Sequence, residues 1–279
     1  MKLALSTNWC NLRLESGEAI ADKALELGFD ELELGYHTSL LHVPGFKRRL
    51  DQMPVGSVHA FAPVPLSAPQ GYPELYPLAS FDADAARIAH LNVVKNVNFA
   101  AEMGADTVVL HAGRVMCRAW TKKGRAKKRE QRGLKLLDIF RRELAEIVPE
   151  LEKARVVLAL ENLPYYEGFP NESELAAILK EDCGGWVKGW FDTGHHLVRR
   201  NLGWIGVDFV PAPKDYAGMH LNDVVDTTDD HLAPGMGKVD FAALRPLAEG
   251  VSHRVFEPNS GVSEADLRAG LALIRKVWP

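Results

Sequence analysis

Short apolar segments alternate along this chain with longer segments in which apolar residues recur every three or four positions. The short segments are typical of buried parallel strands, and the longer ones are typical of amphipathic helices. The alternation predicts repeated βα units around a parallel sheet. Eight strands are predicted, at residues 2–6, 30–34, 55–60, 106–111, 155–161, 187–192, 216–221 and 253–257.

The helical period is clearest in three of the segments that separate the strands. Apolar residues alternate steps of three and four within 133–153, which places them on one helix face, and they recur in steps of three within 83–103. The residues concerned are Ile88, Leu91, Val94 and Val97, then Leu137, Phe140, Leu144, Ile147 and Leu151, and near the end of the chain Leu267, Leu271 and Ile274.

Eight strands with interleaved helices on 279 residues predict the α/β class, as a single (β/α)8 TIM barrel over residues 1–279. An open doubly wound sheet is the alternative, but neither GxGxxG nor GxxxxGK[ST] follows the first strand. No linker, repeat or low-complexity stretch divides the chain. The proline-rich residues 63–77 are too short for a linker and are predicted to form a structured loop over one end of the barrel.

The composition, 47% apolar and 25% charged residues, is typical of a soluble globular protein. A chain of this length buries about three quarters of its unfolded surface, so a metal site would serve function rather than folding. Cys10, Cys117 and Cys183 form no CxxC motif, which favours neither a disulfide framework nor a zinc ribbon. The sequence contains no run of 18 apolar residues and no signal peptide, so we expect a cytoplasmic protein without membrane association.

The net charge of −4 conceals a basic segment at residues 118–132, which carries eight basic side chains and one acidic. The rest of the chain carries 25 basic and 36 acidic residues. Such a run is commonly a solvated, mobile loop. It could equally clamp a phosphate or a nucleic-acid backbone, in which case Lys122, Lys123 and Arg125 would bind substrate and Trp120 would stack on a base or merely pack.

Six consecutive predicted strands end in a residue that can ligate a metal. In a parallel barrel these ends converge on the face where barrel enzymes place their active sites. One such residue is often only a helix cap, but six together would repel one another unless a cation or protons neutralised them. Because imidazoles and carboxylates are ligands of Zn, Mn, Co and Fe(II), a divalent-metal site is predicted. The residues are His59, His111, Glu161, Asp192, His220 and Glu257.

Further candidate ligands lie just beyond these strand ends. His195 follows Asp192 by three residues and could reach the same centre from the start of the next helix. Its neighbour His196 is a weaker candidate, because adjacent helical residues point in different directions. Asp229 and His231 lie in the loop after the seventh strand, where a polar turn without a ligand role is an equal alternative.

At these residues the chain resembles the xylose isomerase-like barrel superfamily, which also contains endonuclease IV. The ordered set of motifs is specific for the superfamily but does not choose among its members. The matching stretches, between about residues 55 and 260, are VHA, VVLHAG, LALENLP, WFDTGHH, HLND followed by PGMGKVDF, and FEPN.

In the sugar isomerases and epimerases of this group, one divalent ion is held by Glu, Asp, His and Glu from strands five to eight. The resemblance assigns these roles to Glu161, Asp192, His220 and Glu257. It implies that the two glutamates are catalytic, one removing a proton beside the substrate carbonyl and the other returning it, while the metal polarises the carbonyl oxygen. His195 would contact the substrate.

Endonuclease IV supplies the rival assignment, because its resemblance implies three zinc ions bound by nine side chains. The basic segment would then face a phosphodiester substrate. All nine positions can be filled here, by His59, His111, Glu161, Asp192, His195, His220, Asp229, His231 and Glu257.

Two features of the sequence depart from the family patterns and bear on the choice between a sugar epimerase and an endonuclease. Ketohexose epimerases of this group usually carry an Arg shortly after the strand-seven His, and Asp226 and its neighbours supply none. That argues against a simple ketohexose substrate. Conversely, ENLPYYEGFPNESEL resembles the sugar-enzyme branch more than the endonuclease, and no loops that would penetrate a DNA helix can be identified.

The preferred interpretation is a metal-dependent isomerase or epimerase of a sugar, sugar phosphate or related polyhydroxy carbonyl compound. Its cofactor would be one Zn, Mn, Co or Mg ion, with up to three possible. An endonuclease IV-like phosphodiesterase with a trinuclear zinc site is the alternative, and only there is nucleic acid a partner. A different metal-dependent reaction and a binding-only barrel stay open, as does a homo-oligomer. Asn8 and Glu33 are expected near the pocket without assigned roles.

Overall fold

In a computed structural model of the protein, described for residues 1–181, 183–206, 209, 211–228 and 230–279, eight parallel strands close into a barrel. Each strand pairs with its neighbours in chain order, and the last pairs with the first through Val255 and Ala4. The predicted (β/α)8 barrel is therefore confirmed. The strands are β1 (Ala4–Ser6), β2 (Glu31–Leu34), β3 (Val55–His59), β4 (Thr107–Leu110), β5 (Val157–Glu161), β6 (Val187–Asp192), β7 (Tyr216–Leu221) and β8 (His253–Phe256).

Helices cover the outside of the barrel between the strands. Ser, Thr, Asp or Asn side chains cap most of their N-termini, as at Ser16, Asp82 and Ser263, by accepting backbone N–H groups that the first turn leaves unpaired. Gly113–Arg114 and Gly168–Phe169 pair as a small antiparallel ribbon. The helices are α1 (Gly17–Leu27), α2 (Val43–Arg49), α3 (Ala83–Glu102), α4 (Lys122–Ala154), α5 (Glu172–Leu179), α6 (Thr193–Asn201), α7 (Arg245–Gly250) and α8 (Glu264–Val277).

The predicted strands agree closely with the observed ones. The bounds of β6 and β7 match the prediction, and the other strands are shorter by one or two residues at one or both ends. As a result His111 and Glu257 lie just beyond β4 and β8 rather than within them. Among the described residues, no helix combines the length and apolar character needed to cross a membrane.

The prediction for α4 succeeds where that for α3 partly fails. All five predicted apolar residues of α4 are buried, because alternating steps of three and four stay on one helix face. In α3, by contrast, Ile88 and Leu91 are exposed. Steps of three drift around a helix of 3.6 residues per turn, so these residues cannot all face inward. Small residues such as Ala86, Ala89 and Ala100 form the buried face instead.

One indole fills the centre of the barrel. Trp190 on β6 is fully buried among smaller side chains of other strands, which are Ala4, Val109, Ala159, Ala217 and Val255. Gly218 on β7 makes room for it, since a Cβ there would lie 2.4 Å from the Trp190 ring. The edge of the Trp190 ring contacts His220, with ring centroids 5.1 Å apart. Trp190 therefore packs beneath His220, in the barrel interior below the strand ends.

The expectation of a mobile loop over 118–132 is wrong from Lys122 onward, because that part of the segment is the start of α4. Thr121 caps the helix by accepting the Gly124 N–H at 3.0 Å. Lys, Arg, Ala and Glu are good helix formers, and the buried Arg129 fastens the helix to the rest of the fold. Its guanidinium donates to both oxygens of Glu174, at 2.7 and 2.9 Å.

We expect Arg129→Met to lower the free energy of unfolding by about 3–5 kcal/mol, because it leaves the Glu174 carboxylate buried without its partner. Urea denaturation followed by circular dichroism measures this. Lys123→Ala on the exposed face of the same helix is the control and should change stability by less than about 0.5 kcal/mol. A loss below about 1 kcal/mol for Arg129→Met would show that the ion pair does not anchor α4.

Candidate metal centre

The ends of β5 to β8 bring four potential ligands together. Glu161, Asp192, His220 and Glu257 each place one ligand atom within 4.8 Å of the others. His220 Nδ1 lies 3.2 Å from Glu161 Oε1, 3.6 Å from Asp192 Oδ2 and 3.0 Å from Glu257 Oε2. Three carboxylates and one imidazole, all buried, are a donor set that suits a divalent cation. The four predicted residues therefore meet at one point and fit a metal ion.

Neighbouring amides hold the carboxylates of this group in place. Asn222 Nδ2 donates to Asp192 Oδ2 at 2.6 Å, and Asn8 Nδ2 donates to Glu257 Oε1 at 3.2 Å. The other oxygen of Asp192 accepts the backbone N–H of His195 at 2.6 Å and thereby caps α6. Glu257 therefore keeps Oε2 directed at the centre while its Oε1 is hydrogen-bonded, whereas both oxygens of Asp192 are hydrogen-bonded and Oδ2 is the one that faces His220.

Glu161 occupies the middle of the histidine cluster. Its Oε1 lies 3.2 Å from His220 Nδ1 and 3.3 Å from His195 Nδ1. Its Oε2 lies 3.2 Å from His59 Nε2 and 3.1 Å from His111 Nε2. Four of the predicted histidine ligands therefore surround one carboxylate.

A second group of candidate ligands lies beside the first. His195, Asp230 and His231 also place ligand atoms within 4.8 Å of one another. His195 Nε2 is 3.9 Å from Asp230 Oδ2, and the rings of His195 and His231 are 5.2 Å apart. The sequence pattern pointed to Asp229, which lies outside the described residues. Asp230, the neighbouring acid, was overlooked because the D-x-H spacing singles out only the first of the two.

Backbone carbonyls orient three of these histidines. The Nδ1 atoms of His59, His195 and His231 lie 3.0, 2.9 and 3.1 Å from the carbonyl oxygens of Ala60, Asn162 and Glu257. A carbonyl can only accept a hydrogen bond, so in the neutral ring the proton resides on Nδ1. The Nε2 lone pair of each ring is then free to act as a ligand.

Burial and mutual charge determine the protonation of the metal-free centre. Burial opposes ionisation of Glu161, but His220 and His111 outweigh it and hold the pKa of this carboxyl well below its ordinary value. Burial likewise disfavours the imidazolium of His220, yet Glu257, Glu33 and Glu161 raise its pKa well above the ordinary value. For His195, Asp192 and Glu161 overcome burial and raise the pKa to about 10. Protons therefore neutralise the buried carboxylates when no cation is bound.

A cavity of about 340 Å³ opens above the centre. Its wall combines aromatic rings, histidines and the carboxylates of Glu74, Asp230 and Glu257, and no Lys or Arg is among the described residues that line it. Its lining is Tyr36, His37, His59, Gln70, Gly71, Tyr72, Pro73, Glu74, His111, Pro164, Tyr165, His195, Asp230, His231 and Glu257. Residues 70–74 belong to the proline-rich segment, so the predicted loop over one end of the barrel is confirmed.

Arg114, a cationic residue beside this cavity, forms an ion pair with Glu74. The Arg114 guanidinium donates to both oxygens of Glu74, at 2.6 and 2.9 Å, and lies 3.7 Å from the centroid of the Tyr165 ring. Glu74 Oε1 also lies 3.8 Å from His111 Nδ1. Sequence reasoning missed Glu74 and Tyr165, for which the only signal was their place in loops that follow strands.

Comparison with known proteins identifies the family. The family model described as Xylose isomerase-like TIM barrel matches residues 21–276, nearly the whole chain. The chain belongs to this family. No curated protein sequence matches it.

Solved structures share the fold of this xylose isomerase-like barrel. A D-tagatose 3-epimerase-like protein superposes with a TM-score of 0.70 at 21% identity, covering 99% of this chain and 97% of the other. D-psicose 3-epimerase from Clostridium cellulolyticum, solved with D-tagatose, gives 0.66 at 15% identity, covering 100% and 99%. A Thermus thermophilus protein soaked with ZnCl2 gives 0.65 at 24% identity, covering 99% and 96%.

The basic residues predicted to bind substrate lie outside the cavity lining of this family member. Lys122 and Lys123 are exposed in the first turn of α4. Arg125 donates to Glu167 Oε1 at 2.5 Å and lies 4.5 Å from the centroid of the Tyr166 ring. Trp120 is fully exposed and does not pack. A substrate role for the three cations stays a prediction that the cavity geometry does not favour.

Binding of a divalent cation should release protons, because a coordinating imidazole nitrogen cannot keep its proton. In the metal-free centre the pKa of His195 is raised to about 10 and that of His220 well above its ordinary value, so these two rings hold protons at neutral pH, and the pKa of His111 is raised as well. Affinity for Mn²⁺ should therefore rise with pH between about pH 6 and 9, by up to tenfold per unit for each proton released. Calorimetry in buffers of different ionisation enthalpy measures both quantities. An affinity that does not change with pH would contradict this protonation state.

Proposed function

We propose that this protein is a divalent-metal-dependent isomerase or epimerase of an uncharged sugar or a related polyhydroxy carbonyl compound. The observation that carries the proposal is the buried group of Glu161, Asp192, His220 and Glu257, of which Glu257 lines a cavity of about 340 Å³. Cavities of this size are at the lower end of the range for small-molecule sites. The candidate metal ligands therefore adjoin an open cavity large enough for a sugar.

The chemistry follows from the positions of the two glutamates. A cation bound by the four ligands would polarise the carbonyl oxygen of a substrate and so acidify the adjacent C–H. Glu257 lines the cavity and is placed to take or return that proton. Glu161 lies beneath, fully buried, with His59 and His111 on its Oε2 side. Because water is excluded from these buried residues, the electrostatic interactions between Glu161 and the histidines are stronger than they would be in water.

The charges of the cavity wall favour an uncharged substrate over a phosphorylated one. A phosphate group would meet the carboxylates of Glu74, Asp230 and Glu257, and no Lys or Arg among the described lining residues would bind it. Arg114 is neutralised by Glu74. Tyr and His side chains suit hydroxyl groups as donors and acceptors. The epimerases among the structural neighbours, named for tagatose and psicose, agree with a neutral sugar.

A second candidate function, a phosphodiesterase with three zinc ions, is favoured by one observation. His195, Asp230 and His231 form an additional ligand group, and both oxygens of Glu161 face imidazoles, as a carboxylate bridging two cations would. Closely spaced metal ions are typical of hydrolytic sites that act on phosphate esters. The absence of Lys and Arg from the described lining argues against a nucleic-acid backbone in this cavity.

Glu257→Gln should reduce kcat/KM by about 10²–10⁴-fold, because an amide cannot accept the substrate proton. Glu161→Gln should also reduce kcat/KM, because a neutral amide is a weaker metal ligand than a carboxylate. Turnover is measured on a panel of neutral ketoses and aldoses with Mn²⁺ or Co²⁺ present, together with the metal content of each variant. Glu152→Gln, exposed on α4, is the control and should retain wild-type activity. A glutamate variant that keeps both its metal and full turnover would refute the proposed role of that residue.

The number of ions per chain separates the two candidate functions. We expect about one divalent ion per chain by elemental analysis of protein purified without chelators, since the four-ligand group accounts for one cation. The protein should then epimerise a neutral sugar and leave abasic-site DNA intact. Three zinc ions per chain with incision of that DNA would replace the epimerase proposal with the phosphodiesterase.

A further inference from the structure

Glu33 is a buried carboxylate that the proposed reaction does not use. It lies on β2, is completely buried, and does not line the described cavity. Within the described part of the chain, its side-chain hydrogen bonds join Oε2 to Ser57 Oγ at 2.9 Å and both oxygens to His220 Nε2 at 3.2 and 3.3 Å. A carboxylate in this position cannot touch a substrate in the cavity, so its effect must pass through His220.

Burial of the Glu33 carboxylate is energetically unfavourable. An ionised carboxylate removed from water costs several kcal/mol unless charge and hydrogen bonds compensate. Other positions that face the barrel interior, such as Ala4 and Val255, are occupied by apolar side chains. Retention of a carboxylate at Glu33 therefore indicates a task that an apolar residue could not perform.

His220 is held differently from the other histidines of the centre. The rings of His59, His195 and His231 direct Nδ1 at a backbone carbonyl and leave Nε2 free. The ring of His220 is reversed, with Nε2 directed at Glu33 and Nδ1 directed at the three carboxylates of the metal group. A carboxylate is a stronger acceptor than a carbonyl, so it fixes the Nε2–H form more firmly and makes Nδ1 a better electron donor.

Packing fixes the plane of this ring but not its protonation. His59 stacks on His220 with centroids 5.7 Å apart and planes 8° from parallel, and Trp190 contacts it edge-on. Stacking and edge contacts leave either ring nitrogen able to carry the proton. When Nδ1 binds a cation the proton is on Nε2, and the polar group that accepts its hydrogen bond there is Glu33.

We propose that Glu33 is a positioning residue that holds His220 as the Nε2–H tautomer and thereby sets the affinity of the centre for its metal. Ser57 donates to Glu33 and keeps the carboxylate in place for this bond. The inference rests on the proposed metal centre, but it concerns binding of the ion and not the reaction that follows.

Glu33→Leu should weaken Mn²⁺ binding by about 10–100-fold, the usual effect of removing the partner of a ligating histidine. Glu33→Gln should have a smaller effect, because its amide oxygen can still accept the Nε2–H bond, although without charge. Affinity is measured by competition with a fluorescent chelator and does not require turnover. Glu31→Gln, on the same strand but paired with Lys2 at 2.6 Å, is the matched control and should bind Mn²⁺ as the wild type does.

A second readout tests the hydrogen bond itself. In Zn²⁺-loaded protein labelled with ¹⁵N-histidine, the wild type should give a His220 Nε2–H proton with the downfield shift of a strong hydrogen bond, and Glu33→Leu should lose that downfield shift. If Glu33→Leu does not fold, then Glu33→Gln and Ser57→Ala carry the test, and both should show weaker Mn²⁺ binding. Wild-type affinity in these folded variants, or an unchanged His220 Nε2–H shift in Glu33→Leu, would overturn the inference.

Failure of this inference differs from failure of the proposed function. If the wild type binds Mn²⁺ and epimerises a sugar while the Glu33 variants bind equally well, the function stands and the role of Glu33 is wrong. If the variants bind more weakly but no sugar is turned over, the positioning role stands and the reaction is wrong. A wild type that binds no divalent cation would refute both.

Discussion

The burial of four carboxylates at one end of the barrel is the constraint on which the site depends. Glu33, Glu161, Asp192 and Glu257 are each at most 5% exposed. Negative charge at this density is stable only beside compensating positive charge. The ion pairs of these four groups in the described chain are all with histidines. An imidazole can compensate either as a protonated cation or as the ligand of a bound one, so the centre can exchange protons for a metal ion without unfolding.

The barrel and the candidate ligands at its strand ends could be predicted from the sequence because both follow from local patterns. Asp192 and His220 close β6 and β7, whose predicted bounds match the structure, and parallel pairing brings such strand ends together on one face. The partners of these ligands could not be predicted in the same way. Glu33 and His220 are 187 residues apart in the chain, and no periodicity in either strand relates them.

The partners of the basic segment, residues 118–132, could not be predicted from the sequence either. A run of cations predicts a strong local potential, but whether it faces solvent, substrate or a buried acid depends on the tertiary fold. Here Arg129 is paired with Glu174 and Arg125 with Glu167, so part of the run holds α4 in place. Likewise, the spacing in the loop after β7 pointed to Asp229, which lies outside the described residues, and it overlooked Asp230, whose Oδ2 lies 3.9 Å from His195 Nε2. Residue spacing alone does not encode loop geometry.

The two glutamates of the centre are not equivalent, and this bears on which of them moves the proton. His220 and His111 hold the pKa of Glu161 well below its ordinary value, so this carboxylate is a weak base. Glu257 has one oxygen near the Asn8 amide and the other 3.0 Å from His220 Nδ1, and it lines the cavity. We therefore infer that Glu257, which a bound substrate can reach, exchanges the proton. Glu161 is better suited to hold a cation, whether the centre contains one ion or more.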